Sequence, residues 1–321
     1  MIMYLLLLLG FILLIKGADL FVDGSSSIAR LLHIPSIIIG LTVVAFGTSM
    51  PEASVSITAA LAGKNDLSLS NVIGSNLFNL LVVVGVSAAI KPMKVQTSVL
   101  KKDLPLSIVV TVLLLVMSIP SPYHGEKVSI LSRVEGCILL AVFIAYLAVT
   151  VRQALKARQD YADSESSGEN TEISIPVTIL YVILGIVGII WGGDLVVDSA
   201  SAIALTFGWS ETFIGLTIVA LGTSLPELVT SVVAAGKGES DLALGNAVGS
   251  NLFNILLVLG ASTAVHPITV NPFTIYDTIF LAIASIIVYL FAIQKKDLNR
   301  KEGLMMIPLY IIFFIYIVVR S

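Results

Sequence analysis

The chain has 321 residues, of which 57% are hydrophobic and 12% charged, with a mean hydropathy of +1.01. Soluble domains carry about 25% charged residues, so a water-soluble protein is excluded. A net charge of -3 offers no basic field for nucleic acid, and one cysteine, Cys137, makes neither an intrachain disulfide nor a thiolate metal cage.

A membrane-spanning helix needs ~20 mostly apolar residues. Hydropathy predicts ten of them in chain order, at about 3–29, 36–62, 67–90, 104–120, 132–150, 175–204, 211–235, 242–265, 274–293 and 303–319. The first opens MIMYLLLLL with no basic leader and no small-residue cleavage site, so it reads as a retained span. AGKND (62–66) and PSPYHGEK (120–127) are turn signals between spans. RQDYADSESSGENTE (158–172) is too polar to bury and reads as a flexible linker. The expected organisation is a first five-helix unit (1–151), a linker (152–174) and a second five-helix unit (175–321). His33, His124 and His266 fall near loops and read as solvated side chains rather than ligands.

Lysine and arginine set the orientation. With the linker facing the cytoplasm, thirteen loop Lys and Arg lie on that side and four on the other, the bias that cytoplasmic loops carry. The expectation is a multi-pass protein of the cell membrane with both termini outside and the linker cytoplasmic.

Shifted by 175 residues, the chain matches itself without gaps from about Gly17 to Val95. GLTVVAFGTSMPE (40–52) aligns with GLTIVALGTSLPE (215–227), and NVIGSNLFNLLVVVG (71–85) with NAVGSNLFNILLVLG (246–260). About 29 of the 51 positions in 38–88 are identical in the second copy. Thr, Ser, Pro, Glu and Asn match, not only Leu, Ile and Val. Five spans is an odd number, so the second copy enters the membrane inverted. Loop charge agrees: KPMKVQTSVLKKD (91–103) has four lysines, whereas HPITVNPFTIYD (266–277) has neither Lys nor Arg. The expected fold is therefore all-α, ten transmembrane helices in two inverted repeats. That arrangement puts a substrate site near the midplane.

Glu52 and Glu227 each sit inside an apolar span, where a carboxylate costs roughly 2.5–3.5 kcal/mol on insertion scales. Such a residue faces the protein interior and marks an ion path. Ala45, Thr48, Ser49 and Glu52 share one helix face by their i, i+3, i+4, i+7 spacing, as do Ala220, Thr223, Ser224 and Glu227. Ser75 and Asn79 follow on the next helix, matched by Ser250 and Asn254. Every donor is oxygen, which suits Na⁺, Ca²⁺ or Mg²⁺ and not copper or zinc. Pro51 and Pro226 deprive the carbonyl four residues back of its helical donor, so carbonyls near Ala45–Thr48 and Ala220–Thr223 are free to turn inward. Two ionised glutamates are balanced by one Ca²⁺, by two Na⁺ or by two protons. A site that needs filling, and accepts either kind of ion, favours an antiporter over a channel.

The paired motifs GTSMPE with GSNLFN and GTSLPE with GSNLFN resemble the two alpha-repeats of the sodium/calcium exchangers, in the wider cation/calcium exchanger superfamily. The chain is similar to the compact prokaryotic type without a regulatory domain. The resemblance implies a non-enzymatic antiporter of Na⁺ and Ca²⁺ that needs no cofactor. It implies Ca²⁺ binding by Glu52, Glu227, Thr48 and Thr223. It implies Na⁺ binding by Ala45, Thr48, Ser49, Ser75, Ala220, Thr223, Ser224 and Ser250. Asn79 and Asn254 match the family's polar pair. Where the potassium-dependent branch carries Asp, this chain has Asn254, implying exchange independent of K⁺. The usual family exchange of three Na⁺ for one Ca²⁺ would be electrogenic.

Proton/Ca²⁺ antiport on the same two glutamates is the alternative, since desolvated carboxylates titrate near neutrality. Further acids repeat in the first and sixth spans, Asp19 with Asp194 and Asp23 with Asp198. They read as capping or hydrogen-bonding residues near helix ends, in preference to lining an access path or helping the two long helices slide. An aspartyl-protease pair drawn from Asp19 and Asp194 is disfavoured, because the whole-chain repeat already accounts for them.

Overall fold

The computed structural model describes residues 2–119, 129–163, 174–209 and 214–320. Among these, seven helices are long and apolar enough to cross a membrane, eight if one bent pair counts as a single span. In order they are α1 (Ile2–Leu32), the bent pair α2 (Ser36–Thr48) and α3 (Met50–Leu61), α4 (Asn65–Ile90), α6 (Arg133–Asp163), α7 (Ile175–Thr206), α9 (Ser240–Val265), α10 (Pro272–Lys295) and α11 (Arg300–Arg320). Two shorter runs complete the helical set. A π-helical turn Val99–Asp103 leads into α5 (Leu104–Ser118). A second, Gly215–Val219, leads through Ala220–Gly222 to α8 (Leu225–Lys237).

Burial separates the core from the lipid-facing shell. The most apolar window of α9 is 94% buried and that of α4 72%, against 17% for α11 and 22% for α7. The two central helices are also the ones carrying GSNLFN. In the outer shell, the α1–α7 pair packs along its length. Glycine makes that approach possible. A methyl group built on Gly17 would lie 2.6 Å from Ile189 N, and one on Gly185 2.6 Å from Phe21 N. Small residues at a crossing let membrane helices approach backbone to backbone. Gly185→Val pushes a branched side chain against backbone atoms that cannot rotate away. Overpacking of this kind costs about 1–3 kcal/mol or more; the expected result is a marked fall in melting temperature of the detergent-solubilised protein.

Four short strands tie the loops. Met93–Lys94 (β1) pairs antiparallel with Asp297–Leu298 (β4), and Ser129–Leu131 (β2) with Ile268–Val270 (β3). Each ribbon joins loops expected on the same side of the membrane, so the otherwise helical fold carries a clasp at each end. Eight of the ten expected spans are met by a helix or the bent pair, while the fourth is shortened to Leu104–Ser118 and the seventh is interrupted between Gly222 and Leu225, residues 211–213 lying outside the described residues. α6 continues to Asp163, through half of the expected linker, because QALKAR (153–158) is rich in strong helix formers. His33 is exposed but stacks on Tyr161 with ring centroids 4.4 Å apart, so it is a contact between α1 and α6 rather than a merely solvated side chain. Residues 164–173 of the linker, and the 120–128 turn with His124, lie outside the described residues.

Candidate cation site

The bend in the second span builds the site. A π-helical turn, Gly40–Val44, precedes Ala45–Thr48, and Ser49 leaves the helix with φ -83° and ψ 6°. The chain turns by 50° and α3 begins, with Pro51 in its first turn and Glu52 directly after. Proline suits a first helical turn, where its missing N–H has no partner to lose. Ser224 (φ -93°, ψ 4°), Pro226 and Glu227 repeat the construction at the start of α8. π-turns recur at Asn79–Val83 and Phe253–Leu259 in the two core helices. Such turns often mark functional positions, where the helix ladder loosens.

Both glutamates are fully buried, and each is held by the other half of the chain. Ser224 Oγ donates to Glu52 Oε1 at 3.0 Å, joined by Ser75 Oγ at 3.2 Å. Reciprocally, Ser49 Oγ donates to Glu227 Oε1 at 3.0 Å and Ser250 Oγ at 3.4 Å. Exchanging residue n for n+175 converts one set into the other. Thr48 Oγ1 lies 2.9 Å from Asn246 Oδ1 and 3.5 Å from Ser250 Oγ, while Thr223 Oγ1 lies 3.5 Å from Asn71 Oδ1. Asn254 Nδ2 donates to Ser75 Oγ at 3.0 Å and to Asn76 Oδ1 at 3.1 Å.

Eleven of the twelve expected residues can be followed as side chains into or beside this cluster. Ten of them, Thr48, Ser49, Glu52, Ser75, Asn79, Thr223, Ser224, Glu227, Ser250 and Asn254, are buried polar groups. Ala45 is buried, and its carbonyl accepts the Ser49 N–H at 3.0 Å, so it is not fully freed by the proline. Asn79 is buried but stands outside the hydrogen-bonded groups. Ala220, the twelfth, opens the Ala220–Gly222 turn.

Two repeated amides are site-builders that motif reading passes over. Asn71 Nδ2 donates to Ser56 Oγ at 2.9 Å and reaches the Glu52 carbonyl at 3.5 Å. Asn246 does the same to Ser231 at 3.0 Å and to the Glu227 carbonyl at 3.3 Å. At the centre, Asn76 and Asn251 each donate to the other's backbone carbonyl at 3.2 Å. The signal was there, since both amides of NVIGSN recur in NAVGSN. Their partners, however, lie on other helices.

Most of the polar atoms left over are oxygens. Among the described residues, Glu52 Oε2, Glu227 Oε2, Asn79 Oδ1, Asn251 Oδ1 and Asn254 Oδ1 are buried without a hydrogen-bond partner, as is Asn79 Nδ2. A buried polar atom with no partner is costly, and a buried charge more so. Buried carboxylate and amide oxygens without protein partners suit a hard cation.

A helical bundle built around buried, reciprocally held carboxylates defines a multi-pass membrane protein of the ion-transporter class. The sodium/calcium exchanger protein family matches residues 2–152 and 177–319, and the chain belongs to that family. It is 32% identical over 340 residues to the sodium/calcium exchanger MaX1 of Methanosarcina acetivorans, covering 97% of each. It is 36% identical over 271 residues to the inner membrane protein YrbG of Escherichia coli, covering 83% of this chain and 81% of that one. The solved sodium-calcium exchanger NCX_Mj superposes with a TM-score of 0.83 at 33% identity, over 97% of both chains.

Proposed function

We propose that this protein exchanges Na⁺ for Ca²⁺ across the cell membrane by alternating access, electrogenically and without K⁺. Its ten spans form two inverted five-helix units, 1–151 and 175–321, joined by a cytoplasmic linker at 152–174, with both termini outside. Glu52 and Glu227 are the carboxylates that carry Ca²⁺, assisted by Thr48 and Thr223. Ala45, Ser49, Ser75, Ala220, Ser224 and Ser250, with Asn79 and Asn254 beside them, provide the flanking Na⁺ positions.

One observation carries this reading: each glutamate accepts a hydroxyl from the opposite repeat, Ser224 on Glu52 and Ser49 on Glu227. Neither half makes the site alone, so a shift of one half against the other alters its coordination and its access together. Inverted repeats that meet at such a site are the usual architecture of alternating access. The hydroxyl and amide oxygens around the acids favour Na⁺ over H⁺ as the counter-ion, because a proton needs no coordination shell.

The test is ⁴⁵Ca²⁺ uptake into vesicles holding the purified protein. An outward Na⁺ gradient is expected to drive uptake, and a pH gradient alone is not. Uptake driven only by the pH gradient would assign the protein to proton/Ca²⁺ antiport. Because three Na⁺ for one Ca²⁺ moves net charge, the Na⁺-driven rate should also respond to an imposed membrane potential.

A further inference from the structure

The acids repeated in α1 and α7 are treated differently by the two halves. On α1, Asp19 and Asp23 share one cation: Lys237 Nζ lies 2.6 Å from an oxygen of each and 3.1 Å from the Asp19 carbonyl. Lys237 is the last residue of α8, the helix that begins at Glu227, so the contact pins the far end of a site-bearing helix onto α1. Shifting by 175 residues puts Ala62 at the corresponding place after α3. A second ion pair on the same face, Arg30 with Glu239 at 3.9 Å, has Leu205 and Lys64 as its counterparts. Among the described residues, neither ion pair is repeated in the other half.

The consequence is visible around α7. Asp194 and Asp198, the counterparts of Asp19 and Asp23, line a cleft of about 480 Å³ between α7 and α3. Pro51, Pro226 and Thr223 form its inner wall, which places the cleft beside both glutamate-bearing turns. One face of the molecule therefore carries a cleft beside the glutamate-bearing turns, whereas on the pseudo-symmetric face the counterparts of its lining, Ala18, Val22, Val44 and Thr48, are buried, with Lys237 across that face. An exposed ion pair alone is weak, but one ammonium between two carboxylates and a carbonyl is a network.

We infer that Lys237 is a one-sided latch. Clasped to Asp19 and Asp23, it holds α8 against α1 and keeps the face bearing Lys237 closed while the α3–α7 cleft is open. Opening that face requires the lysine to leave both aspartates, so the latch biases the protein towards the cleft-open state. Among the described residues, no ion pair on Asp194 or Asp198 holds the opposite state. The inference rests on the alternating-access reading above.

The experiment follows access to Ser54, an exposed α3 residue in the wall of the cleft. In a Cys137→Ala background, Ser54→Cys is labelled with a membrane-impermeant maleimide on protein in nanodiscs. Lys237→Ala is expected to slow labelling by up to about fivefold, as the population shifts to the cleft-closed state. Asp19→Asn with Asp23→Asn should do the same by an independent route, the triple variant should add nothing, and Lys237→Arg should label like the parent. Unchanged labelling in both Lys237→Ala and the double aspartate variant would overturn the latch. Na⁺-driven Ca²⁺ uptake by the parent, measured on the same preparation, separates the two ideas. Its absence would count against antiport, whereas a labelling shift would still support the latch.

Discussion

Replacing either buried glutamate by glutamine is expected to abolish Na⁺-driven Ca²⁺ uptake, with the two variants equally inactive. Glu52 and Glu227 are fully buried, and each already uses one oxygen to accept hydroxyls from the opposite half. The second oxygen of each has no protein partner, so it is the atom a cation would take. Removing one partner from a buried charge interaction costs about 3–5 kcal/mol. At 1.4 kcal/mol per decade that is roughly two to three and a half orders of magnitude in Ca²⁺ affinity.

Stability should move in the opposite direction. Without ions, two carboxylates buried in one region repel and are poorly solvated, and glutamine removes one of those charges at nearly the same volume. The ion-free Glu52→Gln protein should therefore melt no lower than the parent. Saturating Ca²⁺ stabilises a binding-competent protein by about 2.7 kcal/mol at a hundred times the dissociation constant, and this increment should vanish. Thermal melts with and without Ca²⁺ check both statements. A variant that keeps its Ca²⁺-dependent rise in melting temperature would remove that glutamate from the site. Full activity in one variant alone would break the equivalence of the two halves.

Much of this site could be read from the chain because its residues are duplicated. Glu52 and Glu227 announce themselves as carboxylates that an apolar span would otherwise reject, and the shift of 175 residues brings Thr48, Ser49 and Ser75 with them. The span boundaries were legible because hydropathy is a local property. What escaped depends on partners far away in sequence. Asn246 matters because it meets Thr48, 198 positions away, and nothing near Asn246 says so. Lys237 has no match in the first half, so the repeat that exposed the glutamates hid the lysine. The π-turns were equally silent. Gly40–Val44 and Gly215–Val219 have ordinary helical sequences, and their loosened hydrogen bonding is set by packing around the bends.

The same comparison between halves gives the second large effect: Gly249→Ala should be badly tolerated, while Gly74→Ala should fold normally yet transport slowly. These glycines occupy one position of the repeat but have different surroundings. A methyl group on Gly249 would lie 2.7 Å from Ala45 Cβ and 2.9 Å from the Cα and carbonyl oxygen of Leu41. Those are mostly backbone or backbone-proximal atoms of α2 that cannot swing aside, so about 1–3 kcal/mol or more is lost. Among the described residues, a methyl group on Gly74 meets nothing within 4 Å. It faces a cavity of about 180 Å³ bounded by Ser75, Val219, Leu221 and Thr223. Alanine there is also the better helix former, by about 1 kcal/mol. Among the described residues, α2 is thus packed onto α9 at Gly249, and no described side chain of the equivalent 217–222 segment reaches Gly74 of α4. If transport exchanges these two arrangements, the 215–222 segment must at some stage approach Gly74 as α2 now approaches Gly249, and the added methyl would obstruct it. Gly74→Ala should then melt at or above the parent temperature and bind Ca²⁺ normally, but turn over severalfold more slowly. Parental turnover in Gly74→Ala would show that the two halves do not trade conformations.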